Sequence, residues 1–152
     1  MSIYKDLLKS SLEIIHSENS VVDKMQSVCD LLTSELDYYD WSGFYMSDVK
    51  KRVLYLGPYS GETTDHTIIP YGKGICGQAA ETEKTFLIDD VMAEGNYISC
   101  NINVKSEIVV PILKNGIVVG QIDIDSNKAS AFSTDDQYML EKICTELALY
   151  IE

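Results

Sequence analysis

Glu107-Ile108-Val109-Val110-Pro111-Ile112-Leu113, then Lys114-Asn115-Gly116, then Ile117-Val118-Val119-Gly120-Gln121-Ile122-Asp123-Ile124-Asp125 is the stretch that decides the fold. Asn-Gly between two runs rich in β-branched residues is the strongest short-range hairpin signal. Strands joined directly in this way run antiparallel, whereas parallel strands need a long crossover between them. Asp123 and Asp125 are one residue apart and alternate with Ile122 and Ile124, so both carboxylates project from the same sheet face. Glu107 opens the partner strand. A three-residue loop over Lys114-Asn115-Gly116 sets Glu107 directly across from Asp123, while a two-residue Asn-Gly turn sends it to the opposite face. Two acids side by side with no Lys or Arg between them repel each other, which raises at least one pKa or recruits a cation. The alternative is a solvated acidic patch.

Outward from the hairpin, the chain alternates between two periods. Leu7, Leu8, Leu12 and Ile15 recur at helical spacing, and after Asn19-Ser20 so do Val21, Met25, Val28, Cys29, Leu32 and Leu36. From Trp41 the period is two: Trp41 to Met46 and Val53 to Gly57 form a second hairpin across Ser47 to Arg52, and a short strand runs from His66 to Ile69. Tyr71-Gly72-Lys73-Gly74-Ile75-Cys76-Gly77 reads as a glycine-rich turn, with a short helix beginning at Gln78. It lacks the Gly-x-x-x-x-Gly-Lys-Ser/Thr spacing and does not open a helix after a strand in a βαβ unit, so neither standard nucleotide loop is present. Phe86-Leu87-Ile88 suits a buried strand, and Asp89 to Ser106 has no period and reads as a loop. A last helix starts near Ser133, with Asp136 in its first turn and a stripe of Leu140, Ile143, Cys144, Leu147 and Ile151. Two helices, about six strands and a closing helix give an α+β architecture on a mainly antiparallel sheet.

The chain has 152 residues, the size of one domain, taken as 1–152. With 24 Asp and Glu against 12 Lys and Arg, its net charge of −12 repels nucleic acid and anionic lipid alike. No apolar run is long enough to span a membrane and the N-terminus carries no leader pattern, so a cytoplasmic protein is expected. In that reducing setting Cys29, Cys76, Cys100 and Cys144 are thiols; none forms Cys-x-x-Cys or stands at zinc-like spacing from His16 or His66, and no metal or cofactor is expected. Cys29 and Cys144 fall on apolar helix stripes and read as core. Cys76 in the glycine turn and Cys100 in the long loop are the two thiols that another group can reach.

Five blocks then fall in register: Trp41-Ser42-Gly43-Phe44-Tyr45, Leu56-Gly57-Pro58-Tyr59-Ser60-Gly61, Ile69 to Gly77, Ser106 to Pro111, and Asp123-Ile124-Asp125-Ser126. Together, from about Trp41 to the C-terminus, they resemble the GAF-domain free methionine-R-sulfoxide reductases. The resemblance implies a GAF fold with a six-stranded antiparallel sheet flanked by helices, acting as a homodimer. It implies an oxidoreductase acting on free methionine-R-sulfoxide, recycled by thioredoxin or another thiol reductant. By the same resemblance Cys100 is the nucleophile and Cys76 a second site cysteine; Trp41 and Tyr45 form the aromatic wall, and Glu107, Asp123 and Asp125 are the acids. The chain departs from the family at His66, where the family carries its usual resolving cysteine ten residues before the one in the glycine turn. That departure leaves two other readings open: a non-catalytic GAF module binding a small molecule, and a peroxide sensor using Cys76 and Cys100.

Overall fold

A computed structural model describes residues 2–95, 97 and 103–152. Helices α1 (Ile3–Ile15) and α2 (Val21–Glu35) each begin on a serine, Ser2 and Ser20, whose hydroxyl accepts a backbone N–H three residues on. Then follow β1 (Trp41–Asp48), β2 (Val53–Ser60), β3 (Ile68–Pro70), α3 (Gly74–Thr82), β4 (Phe86–Ile88), β5 (Ser106–Lys114), β6 (Ile117–Ser126) and α4 (Thr134–Leu147). The six strands form one sheet in the order β3-β2-β1-β6-β5-β4, with every neighbouring pair antiparallel. The α+β class and six-stranded antiparallel sheet agree with the sequence. No helix among the described residues is long and apolar enough to cross a membrane.

The sheet separates two layers. On one face Phe44, Ile108, Val110, Ile112, Ile122 and Ile124 pack against the apolar stripes of α1, α2 and α4. Cys29 and Cys144 are buried in that layer, as their stripes predict. Each isoleucine or leucine removed from water there contributes about 2 kcal/mol, so this face supplies most of the driving force for folding. The other face carries the short α3, and every acid of the hairpin lies on it.

Helix α4 is closed at its start by a reciprocal box: the Ser133 backbone and hydroxyl both donate to Asp136 Oδ2, at 2.8 and 3.0 Å. Asp136 is fully buried, and its Oδ1 accepts the hydroxyls of Tyr38 at 2.8 Å and Tyr39 at 2.7 Å. One carboxylate thereby ties α4 to the segment entering β1. Hydrogen bonds to a charged acceptor contribute about 1.5–3 kcal/mol, so Tyr39→Phe is expected to lower unfolding free energy by about 2 kcal/mol. Urea melts followed by circular dichroism test this, and an unchanged midpoint would remove the tie from the account of stability.

The β5–β6 hairpin turns by the second of the two ways that sequence left open, but a bulge beyond the turn changes the outcome. Asn115 and Gly116 have φ of 53° and 80°, a two-residue turn with both residues left-handed, and Lys114 pairs with Ile117. That register alone would put Glu107 on the wrong face. Between the pairs Leu113–Val118 and Ile112–Gly120 the register slips by one residue, a bulge that leaves Val119 unmatched. Beyond it Glu107 pairs with Asp125 and Val109 with Asp123, so all three acids share a face. Gly120 sits at the bulge, where a Cβ would lie 2.8 Å from the Tyr45 carbonyl oxygen of β1.

Candidate functional site

β1 runs antiparallel beside β6 with Trp41 opposite Asp125, Gly43 opposite Asp123 and Tyr45 opposite Gln121. Directly opposed residues point to one face, so the two aromatics stand beside the acids. Gly43 lies between them and is required to be small: a Cβ there would meet Trp41 Cη2 at 2.3 Å and Tyr59 Cβ at 2.8 Å. The indole lies along the strand over this glycine and stacks on Tyr59 with ring centroids 5.4 Å apart. Trp41 Nε1 donates to the Glu62 carbonyl at 3.0 Å, and the Tyr45 hydroxyl to the His66 carbonyl at 3.0 Å. The aromatic wall thereby holds the β2–β3 connection over the site.

Helix α3 forms the roof, and here the structure corrects the sequence reading. The helix starts at Gly74, not at Gln78, and so takes in Cys76. Gly77 makes this possible. Its N–H closes the first helical turn on the Lys73 carbonyl at 2.9 Å, and its carbonyl accepts the Gly72 N–H at 2.8 Å. A Cβ on Gly77 would stand 2.5 Å from the Pro70 carbonyl oxygen, so only glycine lets the turn fold back onto the helix. Cys76 is therefore a buried helix thiol rather than an accessible loop thiol, and it donates to Glu107 Oε2 at 3.9 Å.

Glu107, Asp123 and Asp125 are 5%, 3% and 4% exposed. Among the described residues no Lys or Arg forms an ion pair with any of them. Oδ1 of Asp123 and Oδ1 of Asp125 are both buried with no hydrogen-bond partner among those residues. Burial pushes all three carboxyls above the usual carboxylate range; for Glu107 the charges of Asp123 and Asp125 add to it, and for Asp125 that of Asp123. Around Asp123, hydrogen bonds from Glu107, Cys76 and Asp125 partly offset the effect of burial. Burial first, then the negative field of the acids, also raises the Cys76 thiol. Unpaired acids gathered in this way favour a proton or another cation that can enter.

A narrow cavity of about 20 Å³, room for about one water molecule, opens onto this cluster, lined also by Tyr45, His66 and Lys73. A neighbouring cavity of about 140 Å³ is lined by Trp41, Val104 and Asp125 among others. Of the residues singled out by sequence, Trp41, Tyr45, Cys76, Glu107, Asp123 and Asp125 come together on this one face. Cys100 lies outside the described residues; its flanks Tyr97 and Val104 both lie on the pocket side of the sheet. Sequence reasoning left out Gln121, fully buried on this face with both amide atoms unpartnered among the described residues. Counting back by two from Asp123 would have found it.

Trp41 is the chain's single tryptophan, so its emission reports directly on the wall. Gly43→Val is expected to push the indole off the strand, shift its emission to the red, and weaken ligand binding by about tenfold, the loss of roughly one aromatic contact. Unchanged emission and affinity would show that the glycine has no part in shaping the pocket.

The GAF domain family matches residues 18–152. A protein of Dictyostelium discoideum described as GAF domain-containing protein A is 34% identical over 140 residues, covering 92% of this chain and 87% of that protein. The free methionine-R-sulfoxide reductase of Escherichia coli is 30% identical over 144 residues, 95% of this chain and 86% of the enzyme. Among solved structures, the free methionine-R-sulfoxide reductase of Neisseria meningitidis in complex with its substrate superposes with a TM-score of 0.92 at 30% identity, covering 97% of this chain and 87% of that one.

Proposed function

Because the chain belongs to the free methionine-R-sulfoxide reductase family of GAF domains, we propose that it reduces free L-methionine-(R)-S-oxide to methionine with Cys100 as nucleophile. It is an oxidoreductase. The observation that carries the substrate is the buried acid cluster beside an aromatic wall. A free amino acid brings an ammonium to match the carboxylates and a methylsulfinyl group to match Trp41 and Tyr45. A residue inside a polypeptide has no ammonium to offer.

The Cys100 thiolate attacks the sulfoxide sulfur while one protonated carboxyl of the cluster donates to the sulfoxide oxygen; the other two hold the ammonium. The oxygen passes from substrate to enzyme: methionine leaves reduced by two electrons and Cys100 is left as the sulfenic acid. The Cys76 thiol then attacks the Cys100 sulfenic sulfur to form a Cys76–Cys100 disulfide, while Glu107, which already accepts the Cys76 S–H, takes its proton and passes it to the departing hydroxide, released as water. Cys76 is the described cysteine on the pocket side, since Cys29 and Cys144 lie across the sheet. Thioredoxin or another dithiol reduces the disulfide, and the enzyme works as a homodimer; both features follow the family resemblance.

The raised Cys76 thiol and His66 in the resolver's place favour one competing reading, a GAF module that binds the amino acid without turning it over. NADPH consumption coupled through thioredoxin and its reductase separates the two. Turnover of the R epimer with none of the S epimer is expected, and binding without turnover would leave the sensor reading in place.

A further inference from the structure

One sulfur and two carboxylate oxygens, from Cys76, Glu107 and Asp123, lie within 4.8 Å of one another although they come from α3, β5 and β6. The centre of a triangle with sides of 4.8 Å is about 2.8 Å from each corner. Zinc takes sulfur at about 2.3 Å and carboxylate oxygen at about 2.0–2.2 Å, so the three side chains need to close by only about 0.5–0.8 Å. An independent feature points the same way: Asp125, outside this triangle, lines the same cavity and has a buried Oδ1 with no partner among the described residues. His66, a ligand type suited to the same ions, is among the residues lining the cavity. One soft thiolate with hard carboxylates selects borderline divalent ions such as zinc over magnesium or calcium. No spacing rule finds such a set, because its members stand 31 and 16 residues apart along the chain.

We infer that Cys76, Glu107 and Asp123 form an inhibitory site for a thiophilic divalent cation of the zinc type, which enters the substrate pocket and excludes the substrate. Binding forms bonds from the ion to the Cys76 sulfur and to one oxygen of each carboxylate, and releases the thiol proton and any carboxyl protons to solvent. No electron is transferred. The ion takes the place of the substrate ammonium, and that competition, unlike the binding itself, rests on the reductase reading. It also occupies Cys76, so regeneration through a disulfide stops while the metal is bound.

Cobalt(II) chloride, a coloured substitute for zinc, is titrated into reduced protein carrying Cys100→Ser, which leaves Cys76 as the one pocket-side thiol beside the buried Cys29 and Cys144. A near-ultraviolet thiolate-to-cobalt band saturating at one equivalent and displaced by zinc is expected. Cys76→Ser, or Cys76→Ala if serine disturbs the fold, should abolish it, and Asp123→Asn should weaken cobalt binding by about tenfold or more, no less than the loss of an outer-shell partner. Absence of the band, or a band that survives loss of Cys76, overturns the site. This readout needs no turnover, so a failure of the reductase reading leaves it intact. In the wild-type chain, zinc inhibition competitive with methionine sulfoxide and reversed by EDTA is expected. Inhibition unaffected by substrate concentration would overturn the competition.

Discussion

Replacing Cys100 by serine is expected to lower kcat for free methionine-R-sulfoxide by about 10³-fold or more, the scale of losing an activated nucleophile. A serine hydroxyl is not ionised near neutrality, and its oxygen cannot accept the sulfoxide oxygen without forming a weak O–O bond. Binding should survive, since the acids and the aromatic wall stand on β1, β5 and β6. Titration of Trp41 emission with methionine sulfoxide is therefore expected to give wild-type affinity for a protein that has lost turnover. Trapping with a sulfenic acid reagent, in the absence of reductant, should label wild type and not the variant. Full turnover in Cys100→Ser would move the nucleophile elsewhere, and Cys76 would then be the thiol to test.

Asp123→Asn should separate function from stability in opposite directions. Three buried carboxyls face one another without a cationic partner among the described residues, and two of their oxygens are unpartnered. Strain of this kind is retained at functional sites and relieved at a cost to activity. An amide of the same shape carries no charge and can donate to Glu107 or Asp125. Unfolding free energy is expected to rise by about 1 kcal/mol. Meanwhile kcat/KM should fall by about 10²–10³, the usual consequence of removing one charged or hydrogen-bonding group from a reacting centre. The pair of measurements is urea unfolding and steady-state kinetics on the same preparation. Falling stability with unchanged kinetics would make the cluster a packing feature.

Much of the fold is legible in the chain because it depends on neighbours along the sequence. Period-two runs, the Asn115-Gly116 turn and the Ser133–Asp136 box are local, and each appears where it is read. The core positions of Cys29 and Cys144 follow equally from their stripes. The α3 boundary is different. Glycines at 72, 74 and 77 read as a turn, and the helix begins among them because Gly77 packs against the Pro70 carbonyl, a contact that no local propensity encodes.

By itself the amino-acid sequence determined the antiparallel α+β plan and the shared face of Asp123 and Asp125, because strand pairing and side-chain alternation follow from backbone geometry. It also determined which residue types are available for chemistry, among them the thiols and acids. Tertiary structure alone decided that Glu107 joins those aspartates, since one bulged residue at Val119 inverts the outcome of the turn. It likewise decided that Cys76 is buried against them, which makes an otherwise ordinary glycine-flanked thiol part of an acid-lined cavity. The physical reason is common to both: burial and side-chain convergence are set by contacts between strands and helices far apart in the chain, and those contacts exist only once it has folded.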